Sequence, residues 1–269
     1  MRGGARPPAG SPRRLGQNFL ADPNLLDVIV REAELASSDV VLEVGGGGGA
    51  LTERLAPEVA RVHVIEIDQR LRDQLRPLAH EAGNVSVVWD DAMKVVLRDL
   101  TPEPNKLVAN LPYSIATPLL LRTVVELPSI ELWVVMVQRE IADRLTAEPG
   151  TKEYGSASVL VQLACEVTLL RPVDPAVFVP RPRVGSALLR LRRKRPGTSE
   201  DIAALVRLAF AHRRKSLARS LELSRAGSLE PARRALEAIG VPADSRAEAL
   251  SPQEFERFAE ALAGDGGGP

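Results

Sequence analysis

A run of five glycines, Gly45–Gly49, does most to limit what this 269-residue chain can fold into. It follows directly on Val40-Val41-Leu42-Glu43-Val44, a stretch with the length and β-branched content of a buried strand. A strand that breaks into glycines can take up positive φ angles and bring its backbone close to a ligand. The spacing Gly45-x-Gly47-x-x-Ala50 also fits the dinucleotide fingerprint, a weak signal alone, and a helix is expected to begin near Ala50. Further strands are expected at Val62–Ile67, Val85–Trp89, Lys106–Ala109, Glu131–Val137, Glu166–Leu170 and Ser186–Arg192. With helical patterns between them, these give a seven-stranded, Rossmann-like α/β sheet.

Two other stretches set the organisation. Asp22 as N-cap and Pro23 at the first helical position open a helix with Leu25, Leu26, Ile29 and Val30 on one face. Pro196-Gly197-Thr198-Ser199 is the best linker, and four short helical patterns follow, at 202–210, 215–223, 231–239 and 252–262. The expected layout is a disordered arm (1–12), an α/β domain (13–195), a small all-α domain (199–263) and a disordered tail (264–269).

Composition narrows the class. The chain is 45% hydrophobic and 26% charged, enough for a sizeable core and too apolar for global disorder. Its one cysteine, Cys165, excludes an intramolecular disulfide and lies in an apolar run that marks it as core. No Cys/His cluster has ligand spacing, so no metal is expected. No apolar run approaches the roughly 18 residues of a membrane span, and the Gly/Pro/Arg-rich start lacks a signal-peptide core; a cytoplasmic protein is expected. The formal net charge is zero but uneven: residues 181–225 carry 13 Lys and Arg against three acids, a net +10 balanced by −10 elsewhere. That asymmetry suggests an anionic partner met by one face.

In an open α/β sheet, ligands bind at the carboxyl edge of the strands. Three expected strands end there in polar residues. Glu66-Ile67-Asp68 ends the second, where an acid binds ribose hydroxyls in nucleotide sites generally. Asp90-Asp91-Ala92 follows the third, and an aspartate there can accept from an adenine amino group. Asn110-Leu111-Pro112-Tyr113 follows the fourth. The Asn110 amide and the Leu111 and Pro112 carbonyls could accept from an exocyclic amino group while the Tyr113 ring stacks on its base. The alternative is an ordinary β-to-α turn, since Asn and Pro are common turn residues. In this order the features describe an adenosyl cofactor beside an amino-group acceptor. A nicotinamide dehydrogenase would want a proton donor that His63, His80 and His212 are poorly placed to supply.

These residues resemble the rRNA adenine N6,N6-dimethyltransferases, the kasugamycin-sensitivity enzymes that modify small-subunit rRNA. Gly16-Gln-Asn-Phe-Leu20, Leu42-Glu-Val-Gly45, Ile65-Glu-Ile-Asp68, Asp90-Asp-Ala-Met93 and Asn110–Tyr113 match the family's motifs. So do Gln138-Arg-Glu140 with Arg144-Leu145, Phe178-Val-Pro-Arg-Pro-Arg-Val184 with Ser186-Ala187, and Ala209-Phe-Ala-His-Arg-Arg-Lys215, over roughly residues 13–260. The resemblance implies a class I methyltransferase sheet with a small C-terminal helical domain, and S-adenosyl-L-methionine as cofactor. It implies dimethylation of two adjacent adenosines in the 3′-terminal hairpin of 16S rRNA during ribosome biogenesis. It further implies an immature small subunit as partner, no metal, no membrane, and a monomer.

By similarity, Asn18 and Leu20 close over the cofactor, Gly45 lies against its methionine part, Gly47 also binds the cofactor, Glu66 holds the ribose and Asp91 reads the adenine. Asn110 sits between cofactor and target, with Leu111 and Pro112 beside it, and Tyr113 and Phe178 sandwich the flipped base. Arg213, Arg214 and Lys215, together with the basic run Arg190–Arg195, are expected to contact the RNA backbone. The chain departs from the family at Gly46, usually Pro, which should loosen the loop, and at Ser114, usually Asn. Two alternatives stay open: the sister macrolide-resistance methyltransferases of large-subunit rRNA, and an assembly factor that keeps the fold without the activity.

Overall fold

The computed structural model describes residues 18–195, 197 and 199–265. The expected N-terminal arm, residues 13–17 of the expected α/β domain, Pro196 and Thr198 of the linker, and residues 266–269 lie outside the described residues. The chain divides into two compact units: residues 1–142 with 166–194, and 143–165 with 195–269.

The first unit is built on a seven-stranded sheet. Its strands are β2 (Val40–Val44), β3 (Arg61–Ile65), β4 (Val85–Val88), β5 (Lys106–Asn110), β6 (Leu132–Gln138), β7 (Cys165–Val173) and β9 (Ser186–Arg193). They lie in the order β4-β3-β2-β5-β6-β9-β7, and a separate antiparallel pair joins β1 (Phe19–Leu20) to β8 (Phe178–Val179). Strands β2 to β6 pair in parallel, and β9 runs antiparallel to β6. Parallel strands are covered on both faces, so they read as continuous apolar runs rather than alternations. In β5 and β6 every residue but the last is buried.

Helices α1 (Pro23–Glu32), α2 (Thr52–Leu55), α3 (Arg72–Ala82), α4 (Ala116–Glu126) and α5 (Arg139–Leu145) join the strands. The Asp22 carboxylate caps α1 by accepting from the Leu25 amide at 2.9 Å. Leu25, Leu26 and Ile29 of α1 are buried in one cluster with Val41, Val62, Val108 and Val134 of the sheet. Helix α2 begins at Thr52, two residues after Ala50, and makes a single turn before running into a 3-10 turn at Ala56–Glu58 that contains Pro57.

At the amino end of the sheet the ammonium of Lys106 is buried 2.8 Å from the Asp39 carboxylate and donates to the Ala33 and Glu34 carbonyls. Burial alone would raise the Asp39 pKa, but bonds from Lys106, Asn105 and the Ala36 amide hold it below the usual carboxylate range.

The second unit contains α6 (Ser156–Ala164), α7 (Glu200–Phe210), α8 (Leu217–Ser224), α9 (Leu229–Ala238) and α10 (Pro252–Asp265). Residues 143–165, expected with the sheet, therefore cluster with the C-terminal helices. Tyr154 explains why. Its hydroxyl donates to the Leu250 carbonyl at 2.9 Å, and its ring meets Phe210 edge-on at 6.2 Å, with Phe210 against Phe255 at 5.8 Å. Gly264 and Asp265, expected in a disordered tail, form the end of α10.

Asp39→Ala should destabilise the chain by about 3–5 kcal/mol, because it leaves a buried ammonium without its counter-charge. Chemical unfolding reads this directly; a loss under about 1 kcal/mol would mean the pair is solvated in practice.

Candidate active site

The order of the sheet reverses between β2 and β5, the switch point at which open α/β sheets bind ligands. The loops leaving these two strands touch. A Cβ placed on Gly45 would lie 3.4 Å from two ring carbons of Pro112 and 3.7 Å from the Asn110 carbonyl oxygen. Gly45 and Gly47 hold φ angles of 81° and 56°, which L side chains rarely adopt. A Cβ on Gly47 would approach the Phe19 ring at 3.1 Å, so β1 lies over the glycine loop and brings Asn18 and Leu20 with it. The Asn110 side chain ties the two together: its Nδ2 donates to the Asn18 carbonyl at 3.1 Å. A backbone carbonyl only accepts, so the amide nitrogen faces Asn18 and the amide oxygen is left on the other side, as an acceptor.

One cleft is lined by the glycine loop, Glu66, Asp91 and the whole turn Asn110–Tyr113. Gly45, Gly47, Asn18, Leu20 and Leu111, all expected at the site, line it too. Glu66 is 3% exposed; its two carboxylate oxygens accept from the Gly47 and Asp68 amides at 2.9 and 2.8 Å. Burial pushes its pKa up, against bonds from the Asp68, Gly47 and Ile67 amides. Asp91 Oδ1 accepts from the Met93 amide at 2.9 Å. Among the described residues the lining holds four carboxyl groups, Glu43, Glu66, Asp90 and Asp91, and no Lys, Arg or His. Such a wall repels phosphates and favours a cationic ligand. It does not fit the pyrophosphate of a dinucleotide; it fits the sulfonium and amino group of S-adenosylmethionine.

A family model described as ribosomal RNA adenine dimethylase matches residues 11–263. The chain belongs to that family. It is 44% identical over 246 residues to the ribosomal RNA small subunit methyltransferase A of Rubrobacter xylanophilus, covering 90% of this chain and 92% of that one. To the protein of the same name from Bacillus thuringiensis it is 40% identical over 265 residues, covering 93% and 90%. Among solved structures, a dimethyladenosine transferase from Plasmodium falciparum superposes with a TM-score of 0.80 at 27% identity, over 92% of this chain and 98% of that one. The 23S rRNA methyltransferase ErmE superposes with a TM-score of 0.68 at 30% identity, over 91% and 100%. The protein is therefore an rRNA adenine dimethyltransferase of class I fold that uses S-adenosylmethionine.

For this rRNA adenine dimethyltransferase, several expected residues stand elsewhere than the motifs suggested. Phe178 is not in the cleft lining: it is 2% exposed, pairs with Leu20 through β8 and β1, and packs in the apolar cluster with Leu20, Val173 and Leu188. A ring so buried has no face to offer a base unless that strand pair opens. Tyr113 is half-buried in the lining, its hydroxyl 2.6 Å from Ser186 Oγ at the start of β9; burial raises its pKa.

The arginines of β9 are likewise engaged by partners within the first unit. Arg192 pairs with Glu34 at 2.7 Å and Arg190 with Glu32 and Glu34 at 3.5 Å. Arg193 donates to the Ile130, Leu127 and Val124 carbonyls and lies over the Trp133 ring. In the second unit Arg213, Arg214 and Lys215 are all exposed, and Arg213 also donates to the Lys152 and Tyr154 carbonyls at 3.1 and 2.9 Å. Gly46 is not merely a loosened proline position: Val64 Cγ1 would lie 2.5 Å from a Cβ there, and Leu75 fills the space behind.

Glu43 was not among the expected site residues. Burial raises its pKa to about 8, against a 2.6 Å bond from the Thr52 hydroxyl and helped by the nearby Glu66 charge. A single acid inside Val-Val-Leu-Glu-Val was the available signal, because a buried ionisable group in an apolar strand marks a site. An acid with a raised folded-state pKa contributes stability that is fully present below its unfolded value, near 4.5, and lost as pH rises through about 8. Relative to Glu43→Gln, the native chain should therefore lose melting temperature between pH 5 and 8. A constant offset across that range would mean that Glu43 ionises normally.

Proposed function

We propose that this chain dimethylates the N6 amino groups of two adjacent adenosines in the 3′-terminal hairpin of small-subunit rRNA, working as a monomer on an immature subunit in the cytoplasm. The observation that carries this reading is the shared cleft, in which the Asn110 turn and the glycine loop meet at Gly45 and Pro112. When bound, S-adenosylmethionine supplies an electrophilic methyl group on a sulfonium.

The chain's own part is positioning. The N6 lone pair of adenine is delocalised into its ring, which makes the nitrogen a poor nucleophile. The Asn110 amide oxygen, with the Leu111 or Pro112 carbonyl, accepts from its N–H bonds and draws the nitrogen toward tetrahedral geometry. That localises the lone pair for in-line attack, with no acid or base required. Glu66 would hold the ribose with a carboxylate that backbone N–H groups already fix in place. Asp91 would accept from the cofactor's amino group. The target adenine must leave its stack, and the Tyr113 ring offsets part of that cost. Outside the cleft, exposed Arg214 and Lys215 supply sequence-independent attraction to phosphates.

Substrate choice between the two ribosomal subunits is favoured toward the small one by the 40–44% identity to small-subunit enzymes over nine-tenths of the chain, against 30% to ErmE. Transfer of labelled methyl onto immature small subunits, but not onto naked large-subunit RNA, is the expected result. The reverse pattern would favour the macrolide-resistance activity. Tyr113→Ala should lower kcat/KM for RNA by roughly tenfold to a hundredfold, the worth of one stacked base, with cofactor affinity almost unchanged. Equal loss of both would make Tyr113 structural.

Replacing Arg214 and Lys215 by Gln should flatten the slope of log affinity against log salt by about one per residue. An unchanged slope would remove them from the interface.

A further inference from the structure

The cofactor-reading aspartate sits on a loop with little support of its own. Asp91 follows β4, which is the edge strand of the sheet and has β3 as its one neighbour. Residues 91–95 form a tight turn. The Asp91 carbonyl accepts from the Lys94 and Val95 amides at 2.8 and 3.1 Å, and Asp91 Oδ1 accepts from the Met93 amide. That turn closes on itself, but none of these bonds reaches the rest of the fold.

Arg122, on α4, makes the connection. Its Nη1 donates to the Ala92 carbonyl and its Nη2 to the Val95 carbonyl, both at 2.7 Å. Its Nε donates to Glu126 one helical turn further on, at 2.8 Å, which fixes the plane of the guanidinium. The side chain of Arg122 is only 16% exposed. Ala92, whose carbonyl it holds, is buried and lines the cleft beside Asp91. A planar fork on two carbonyls three residues apart sets both the position and the rotation of the turn, which a single point charge cannot do.

We infer that Arg122 is a positioning residue for cofactor specificity: by clamping the Ala92 and Val95 carbonyls it holds Asp91 where it can accept from the 6-amino group of the adenosyl moiety. The inference rests on the proposed role of Asp91 as adenine reader. It extends that role to a residue on the far side of the loop that touches neither cofactor nor RNA.

The test is calorimetric titration of the full chain with S-adenosylhomocysteine and with its analogue in which hydrogen replaces the 6-amino group. The native chain should prefer the amino compound by about tenfold, the equivalent of one hydrogen bond to a charged group. Arg122→Met should shrink that preference toward unity, mainly by weakening the amino compound. Arg122→Lys, which can reach one carbonyl, should keep part of it. The rate of methyl transfer at saturating cofactor should hold.

Equal weakening of both ligands by Arg122→Met would mean that the arginine only stabilises the fold, and an unchanged preference would mean that the clamp is idle; either overturns the inference. Should Arg122→Met not fold, Glu126→Ala, which removes the acceptor of Nε alone, must still reduce the preference, and its failure to do so counts equally against the proposal. Asp91→Asn separates the two layers. If it leaves the preference intact, the adenine-reading role itself falls; if it abolishes the preference while the Arg122 variants do not, only the clamp falls.

Discussion

The site depends on one close approach, the backbone of Gly45 against the ring of Pro112. β2 and β5 are neighbours in the sheet, paired at Val41 with Lys106 and Leu42 with Leu107, so the chain segments leaving them must share the space above the sheet edge. A side chain at 45 would fill that space. The positive φ at Gly45 and the rigid ring at Pro112 let the two loops pack in contact while their polar groups stay turned to the cleft. Everything else in the site is arranged around that contact. Phe19 lies on Gly47, Asn110 reaches back to Asn18, and Glu66 receives the Gly47 amide.

The electrostatics of the cleft follow the same economy. Four carboxyl groups with no facing cation among the described residues would repel one another in a solvated site. Here two are restrained by burial: Glu43 takes its pKa to about 8, and Glu66 is raised as well, though held by backbone amides. Keeping one of the pair protonated relieves the repulsion without a basic residue, and the wall stays suited to a sulfonium rather than to a phosphate. Basic residues are kept for other work. Those on β9 neutralise Glu32 and Glu34 or hold carbonyls, while Arg214 and Lys215 stay exposed in the second unit.

Charge counting along the chain therefore misleads in a particular way. Residues 181–225 carry a net +10, and that surplus reads as an RNA face. The structure shows that part of it is engaged by partners within the fold. Arg190 and Arg192 meet acids more than 150 positions earlier, Arg193 closes the end of α4, and Arg213 holds the loop before α6. Nothing local distinguishes these arginines from Arg214, because the partner of each is set by which strands and helices become neighbours.

By itself the amino-acid sequence determined the elements and the chemistry at their ends. Apolar runs marked all seven strands, Asp22 and Pro23 marked the start of α1, and the glycines, Glu66, Asp91 and Asn110–Tyr113 marked the carboxyl edge, since these are properties of short stretches read one at a time. Tertiary structure alone decided which of those residues serve as surface and which as scaffold. It buried the Phe178 ring under β1, gave Glu43 a place in the cleft wall, turned the Asn110 amide toward Asn18, and set Arg122 behind the Asp91 loop. The physical reason is that burial and hydrogen-bond partnership are pairwise properties of residues far apart in the chain, and only the folded chain brings those pairs within reach.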